Sequence, residues 1–303
     1  MVGPTAVGKT AVTRLLASRN AEIINADSMQ VYRRLDIGTA KPDKQLRAAL
    51  PHHLIDLVEP WEHFDVGRFV NEAEQAIEAA LARGNLPVLV GGTGYYFKHF
   101  LYGLPQAPTA SAAIRNQLQM RLEVEGIDVL REELRRVDPE SAARIDANDA
   151  YRIQRALEVY EQSGRPLSSF ARLREMRRDL SVTVIELTRE RAALHERISA
   201  RVESMFGAGL REEIEGLFAI GAGPTWPSMR AIGYREFFGG SGELRPASED
   251  ASIAERIKTA SRRYAKRQIT FFQQLPTRVQ IPAESTQELE ATIDRELALL
   301  DRL

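Results

Sequence analysis

The chain has 303 residues, 44% hydrophobic and 27% charged, with a formal net charge of −1, five histidines and no cysteine. Such a length fits two domains, or one domain with a large insertion, and the composition is that of a packed globular protein. Without cysteine there are no disulfides, thiolate zinc sites or thiol nucleophiles, the near-zero charge argues against a protein that coats nucleic acid, and no apolar run approaches a membrane span.

Taken in chain order, the first element is a loop. Gly3-Pro4-Thr5-Ala6-Val7-Gly8-Lys9-Thr10 is a complete G-x-x-x-x-G-K-[ST] phosphate loop. Its glycines let backbone N–H groups curl around phosphate oxygens, Lys9 adds a point charge, and Thr10 offers a hydroxyl to Mg²⁺. The amphipathic run Ala11, Val12, Leu15 and Leu16 predicts a helix over about 9–18, its positive end toward the anion. A phosphate loop normally hangs from a buried strand, yet only Met1 and Val2 precede Gly3. The expectation is therefore a clipped first strand, with several apolar residues belonging upstream. No secretory leader is read at the start, and the expected location is the cytoplasm.

Glu22–Asp27 reads as a short buried strand ending in polar groups. His52-His53 with Asp56 is the one histidine cluster; it suits a helix end or a pocket wall better than a metal site. Phe69, Val70, Ala73, Ala76, Ile77 and Leu81 predict an amphipathic helix over 67–83, stopped by Gly84-Asn85. Leu86–Val90 is a buried parallel strand opening into Gly91-Gly92-Thr93-Gly94. Strand, helix and strand imply an α/β fold with a parallel sheet and functional loops at its carboxyl edge.

From 109 to 180 only helical periodicity appears, with Pro139, Gly164 and Pro166 as breakers, and the stretch holds thirteen arginines, thirteen acids and no lysine. The β-branched strand 182–187 then resumes the sheet. Helical patterning over 189–219 breaks near Gly207-Ala208-Gly209. Over 251–274, Arg256, Lys258, Arg262, Arg263, Lys266 and Arg267 oppose the single acid Glu255. Lys258, Arg262 and Lys266 share a helix face, which reads either as a solvated basic face or as a phosphate-backbone contact. The predicted architecture is a P-loop NTPase-like parallel-sheet core flanked by helices (1–108 and 181–303), interrupted by an all-helical insertion domain (109–180).

The hydrolytic apparatus is poorly supported, because the strand at 86–90 ends in Gly-Gly-Thr-Gly rather than in a Mg²⁺-binding acid. Two classes share the phosphate loop. A P-loop small-molecule or nucleoside kinase would bind ATP and need no RNA. A non-enzymatic RNA-binding module would leave Lys9 and Thr10 without a purpose.

The resemblance becomes specific when the motifs are taken together. GPTAVGKT (3–10), NADSMQVYRRLDIGTAKP (25–42), PHHLID (51–56), VGGTGYY (90–96), RIQRALEVYEQSGRPLS (152–168), LHERISARVESM (194–205), MRAIGYRE (229–236) and SRRYAKRQITFF (261–272) run in one order along the chain. In this it resembles the bacterial tRNA dimethylallyltransferases, which prenylate the adenosine 3′ of the anticodon (position 37 of tRNA) at N6. The resemblance implies that dimethylallyl pyrophosphate, not ATP, occupies residues Gly3 to Thr10 (Gly3, Pro4, Thr5, Ala6, Val7, Gly8, Lys9, Thr10), that Mg²⁺ is the cofactor with Thr10 as its ligand, and that pyrophosphate leaves. It further implies that Asp27 is the general base, and that Arg201 and Thr5 hold the pyrophosphate in the transition state. Read by itself, Asp27 is equally a turn or cap residue. The positions matching tRNA contacts are Asp27, Ser28, Met29, Gln30, Thr93, Arg115, Gln154, Arg155, Ala156, Leu157, Glu158, Arg230, Ala231, Ile232, Gly233, Tyr234 and Arg235. Among these, Ala156 and Leu157 look like helix core, and Ile232-Gly233 like a packed turn. The implied partners are the tRNA anticodon stem-loop and dimethylallyl pyrophosphate, with no membrane partner; the implied state is a monomer.

Overall fold

The computed structural model describes residues 1–104, 106–170, 175–177, 181–275, 278–284 and 286–300. It has a mixed α/β fold built on parallel strands. In chain order the first elements are α1 (Lys9–Thr13), β1 (Ala21–Ala26), α2 (Lys44–Ala49), β2 (His52–His53), α3 (Val66–Ala82), β3 (Leu86–Gly91) and α4 (Gly94–Tyr102). Next come α5 (Ala112–Glu125), α6 (Ile127–Val137), α7 (Pro139–Arg144) and α8 (Ala150–Ser163), and then β4 (Val184–Thr188), α9 (Arg191–Gly207), α10 (Leu210–Ala219), α11 (Asp250–Phe272), β5 (Arg278–Pro282) and α12 (Thr286–Leu300). Contacts divide the chain into two compact units, Met1–Phe100 with Arg178–Leu303, and Leu101–Arg177.

In the first unit β1 lies between β2 and β3, all parallel, with Ile23 opposite His52 on one side and Ala26 opposite Gly91 on the other. A second parallel pair joins β4 to β5, Val184 facing Arg278. Val2 connects the two pairs. Its N–H donates to Ile185 O (2.8 Å), its carbonyl accepts from Leu187 N (2.9 Å), and the Met1 carbonyl accepts from Gly91 N (3.3 Å). The strand position before the phosphate loop is thus filled by the backbone of residues 1–2, which gives the spatial order β2-β1-β3-Val2-β4-β5.

β1 is buried along its whole length, Glu22 included. That carboxylate accepts from Arg83, Asn85 and His53, and the Arg83 hydrogen bond above all holds its pKa down to about 2. A buried charge is tolerable only with such partners. The His52-His53 pair, read from sequence as a helix end or pocket wall, is instead a short strand, and the partner of His53 is Glu22. Asp56 pairs with Lys41 (2.6 Å) and Arg47 (2.9 Å). Among the described residues no cluster of His, Asp or Glu is suited to hold a metal.

The helix expected over 9–18 is α-helical only to Thr13. Arg14–Arg19 tightens into a 3-10 helix that ends at Asn20 in the left-handed region. α3 follows its periodicity: Asp65 caps Arg68 N, Phe69, Val70, Ala73 and Ala80 are buried, and Gly84 (φ 71°) ends the run. Among the described residues two apolar cores stand out in this unit. One joins Val7, Val12, Ile23 and Val90 to Leu187, Leu194, Ile198, Ile281 and Leu289 across the sheet. The other packs Leu35, Val202, Ile214, Tyr234, Phe237 and Ile257.

The second unit is helical throughout its elements. Leu118, Leu130, Leu134, Ile153, Ala156 and Leu157 form its core. The breakers act as expected: Pro139 opens α7 after its cap Asp138, and Gly164, in the left-handed region, closes α8. Residues 171–174 and 178–180 of the stretch expected to be helical lie outside the described residues. No helix among the described residues is long and apolar enough to cross a membrane.

Candidate active site

The phosphate loop runs from Val2 to α1. Gly3 passes so close to β4 that a Cβ there would lie 2.9 Å from the Leu187 carbonyl, and Gly8 has φ 125°, which a side chain resists. The Gly8 carbonyl accepts from Ala11 N and Val12 N, starting α1. Lys9 folds back, and its Nζ donates to the carbonyls of Gly3 (2.7 Å) and Pro4 (2.9 Å). Burial lowers its pKa from the ordinary 10.5 to about 8; Asp27 opposes the shift and Arg201 adds to it. Thr10 is exposed, and with Gly8 and Lys9 it lines a cavity shared with Lys41, Arg197 and Arg201.

Asp27 follows the last residue of β1. Its Oδ1 accepts from Met29 N (2.9 Å), closing the turn that the residue pattern also allows. The neighbouring loop after β3 is pinned to it: Ser28 N donates to Thr93 Oγ1 (2.9 Å) and Thr93 N to the Ala26 carbonyl (3.1 Å). Gly91 is obligatory here, since a Cβ would sit 2.1 Å from the Ala26 carbonyl. The phosphate loop joins this pair through Gln268 of α11. Its Oε1 accepts from Thr5 N (2.8 Å) and its Nε2 donates to the Gly92 carbonyl (2.7 Å). Three loops therefore meet at the carboxyl edge of the parallel strands, where such sheets bind ligands.

Arg201 projects from α9 between them, donating to Thr5 Oγ1 (3.4 Å) and to the Thr39 carbonyl (3.4 Å). Burial lowers its pKa against the favourable field of Asp27. Asp27, Thr5 and Arg201 line one cavity of about 270 Å³, together with the apolar Ile198, Val202 and Ile257 of α9 and α11. Arg201 and Met205 also line the cavity at Lys9 and Thr10, so the two spaces adjoin at the Arg201 side chain. Tyr264 borders the first cavity, and burial pushes its phenol up to about 12.

The structure also sorts the residues expected to touch tRNA. Ser28, Met29, Arg230, Ala231, Ile232, Gly233 and Arg235 line the same cavity as Asp27, with Arg230 and Arg235 exposed. Gln30 is engaged with the Thr39 and Ala40 carbonyls. Tyr234 points inward instead. It is fully buried, and its hydroxyl donates to Glu213 Oε1 (2.6 Å). Glu213 also accepts the backbone N–H groups of Asp36, Ile37 and Gly38. That leaves no side-chain surface on Tyr234 for a ligand.

In the helical unit Arg115 is exposed on α5, Gln154 donates to Gln119, and Arg155 bonds Glu158 and the Pro108 carbonyl. Ala156 and Leu157 are fully buried, so any contact near them would come from neighbours. The basic face of α11 divides. Lys258 pairs with Glu203 and Glu255, and Arg262 donates to Ser199, both toward α9. Arg256 and Arg263 line a shallow cleft with Arg235 and Arg267, which also border the Asp27 cavity.

Gln268, Tyr264, Thr39 and Glu213 were not singled out from the sequence. A signal did exist for two of them: Tyr264 and Gln268 stand four apart on α11 and so share a helix face.

The sequence matches the IPP transferase family over residues 30–275. It is 43% identical to the tRNA dimethylallyltransferase of Halorhodospira halophila over 298 residues, covering 96% of this chain and 94% of that one. The Borrelia turicatae tRNA dimethylallyltransferase is 43% identical over 274 residues, 90% of each chain. Among solved structures, the full-length tRNA isopentenylpyrophosphate transferase of Bacillus halodurans superposes with a TM-score of 0.69 at 34% identity, covering 100% of this chain and 98% of that one. A eukaryotic dimethylallyltransferase, captured acting on tRNA, gives 0.77 at 28% identity over 99% of this chain and 77% of that one. With a family match across most of its length and relatives this similar over nearly all of it, the chain belongs to the IPP transferase family.

Proposed function

We propose that this protein transfers the dimethylallyl group of dimethylallyl pyrophosphate to N6 of the adenosine 3′ of a tRNA anticodon. The observation that carries the reading is the pair of cavities adjoining at Arg201, one bearing Lys9 and Thr10, the other bearing Asp27. Donor and acceptor then enter from different sides and meet beside one guanidinium.

In this reading the diphosphate lies in the phosphate loop of a P-loop-like core, where N–H groups, Lys9 and Arg201 stabilise charge as the allylic C–O bond breaks. The bonding electrons leave with the pyrophosphate. The N6 lone pair forms the new C–N bond, and the N6 proton passes to the Asp27 carboxylate. Thr5 fixes Arg201 through its hydroxyl. The adenine nitrogen is a weak nucleophile, so a base and a stabilised leaving group are both needed.

The donor set also suits Mg²⁺. Thr10 presents one exposed hard oxygen beside Lys9, and Mg²⁺ usually takes one or two protein oxygens with the rest from phosphate and water. Thr10 would hold the ion, whose chemistry is neutralisation of the diphosphate charge.

A stacked adenosine cannot reach Asp27, so the target base flips out of the anticodon loop. The helical unit acts as an insertion domain that grips the anticodon stem-loop through guanidinium groups such as Arg115. Incubation with Mg²⁺, dimethylallyl pyrophosphate and unmodified tRNA should add a dimethylallyl mass to adenosine in nucleoside mass spectrometry, and only with donor present. No gain, with ATP consumed when small nucleosides are supplied, would replace this reading with a kinase.

A further inference from the structure

The outer edge of the phosphate loop is held by two arginines that the reaction above does not use. Arg189 Nε donates to the Val7 carbonyl (3.2 Å), and Arg197 Nε to the adjacent Ala6 carbonyl (2.9 Å). They act where the loop backbone is least at ease, between Ala6 at φ 62° and Gly8 at φ 125°. The two arginines differ in setting. Arg197 is solvent-exposed, whereas the Arg189 side chain is only 12% exposed and is braced at its other end by Glu284 (2.8 Å). Glu284 follows β5, and that strand end is itself fixed, because Ala283 N donates to the Thr188 carbonyl (2.9 Å). The Arg189 guanidinium lies against Gly8, Nη2 being 3.9 Å from where a Cβ would stand.

In a trans peptide the C=O and N–H point in opposite directions. A Val7 carbonyl held outward on Arg189 therefore turns the Gly8 N–H the other way, away from the arginine. Without that partner the carbonyl could rotate inward and present a negative end to an anion. The fixed positive charge beside Gly8 works in the same sense.

We propose that Arg189, braced by Glu284, is a positioning residue that holds the phosphate loop in its anion-binding conformation. This rests on the reading that the loop holds a diphosphate. A positioning role predicts a change in donor affinity, separate from the chemical step and from tRNA binding.

The test is isothermal titration of inorganic pyrophosphate with Mg²⁺ into the full chain, paired with steady-state kinetics. Arg189→Ala should weaken pyrophosphate binding and raise the donor KM about tenfold, the effect of one charge-assisted hydrogen bond, with kcat at saturating donor and tRNA affinity held within about twofold. Arg189→Lys, which keeps the charge and a donor, should recover part of the loss. Glu284→Gln should fall between wild type and Arg189→Ala. Wild-type pyrophosphate affinity in Arg189→Ala overturns the proposal, as does a lowered kcat with unchanged KM. If Arg189→Ala does not fold, wild-type affinity in both Arg189→Lys and Glu284→Gln overturns it equally. Lys9→Met separates the two readings: pyrophosphate binding lost in Lys9→Met but kept in Arg189→Ala removes only the positioning role, whereas unchanged binding in Lys9→Met removes the diphosphate reading itself.

Discussion

Lys9 should be a residue that lowers stability for the sake of ligand binding, and Lys9→Met should expose both sides of that trade. On folding its pKa falls from 10.5 to about 8, with burial the largest cause. At about 1.4 kcal/mol per unit, keeping the proton at pH 7 costs about 3 kcal/mol relative to the unfolded chain. Methionine has a similar length and no charge. It forfeits the hydrogen bonds from Nζ to Gly3 and Pro4, about 1 kcal/mol each. The balance leaves Lys9→Met more stable by about 1 kcal/mol at pH 7, a rise of about 1–2 °C in melting temperature for a chain of this size.

The pH dependence fixes the sign. Between about pH 8 and 10.5 the unfolded chain still binds the Lys9 proton while the folded chain does not. Wild-type stability therefore rises with pH across this window, and the penalty is fully present below it. Lys9→Met lacks that rise, so its advantage should shrink and reverse between pH 7 and 10. Pyrophosphate should raise the wild-type melting temperature by mass action and leave that of the variant unmoved. Thermal melts of both proteins at pH 7 and 10, with and without pyrophosphate, measure all of this. A variant less stable than wild type at pH 7, by a gap that does not change with pH, would refute the reasoning.

Asp27→Asn keeps an oxygen for Met29 N, so the melting temperature should stay put while single-turnover prenyl transfer falls about 10²–10⁴-fold with the base removed; an Asn enzyme at wild-type rate ends that assignment. Gly38→Ala would place a methyl group 2.4–2.7 Å from the Tyr234 ring and hydroxyl, and the ring is fully buried with its hydroxyl tied to Glu213. A loss of about 3 kcal/mol or more in urea unfolding is expected, and a near-neutral result would mean that the 36–38 loop is not held as described.

The site was legible from sequence where it depends on short-range spacing. Gly3 to Thr10 needs particular residues within one loop, and β1, β3, β4 and the long helices α3 and α9 were read from buried apolar runs and helical periodicity, whereas β2 and β5 were not. Asp27 and Arg201 were named only because the motifs resembled a family; as isolated residues they carry no local mark of their role. What spacing cannot show is which distant groups satisfy one another. Thr5 and Gln268 are 263 positions apart, yet one carboxamide ties the phosphate loop to the loop after β3. The pairing of His53 with a buried Glu22, the turning of Tyr234 onto Glu213 and the division of the α11 basic face between Glu203 and the arginine-lined cleft beside the Asp27 cavity are likewise choices of partner made only on packing. The sequence by itself determined the Gly3 to Thr10 loop motif and the α/β character, since both are local. Tertiary structure alone decided which polar groups are exposed for a ligand and which are consumed in holding the loops, because every buried donor or acceptor must find its partner wherever the fold brings one within reach.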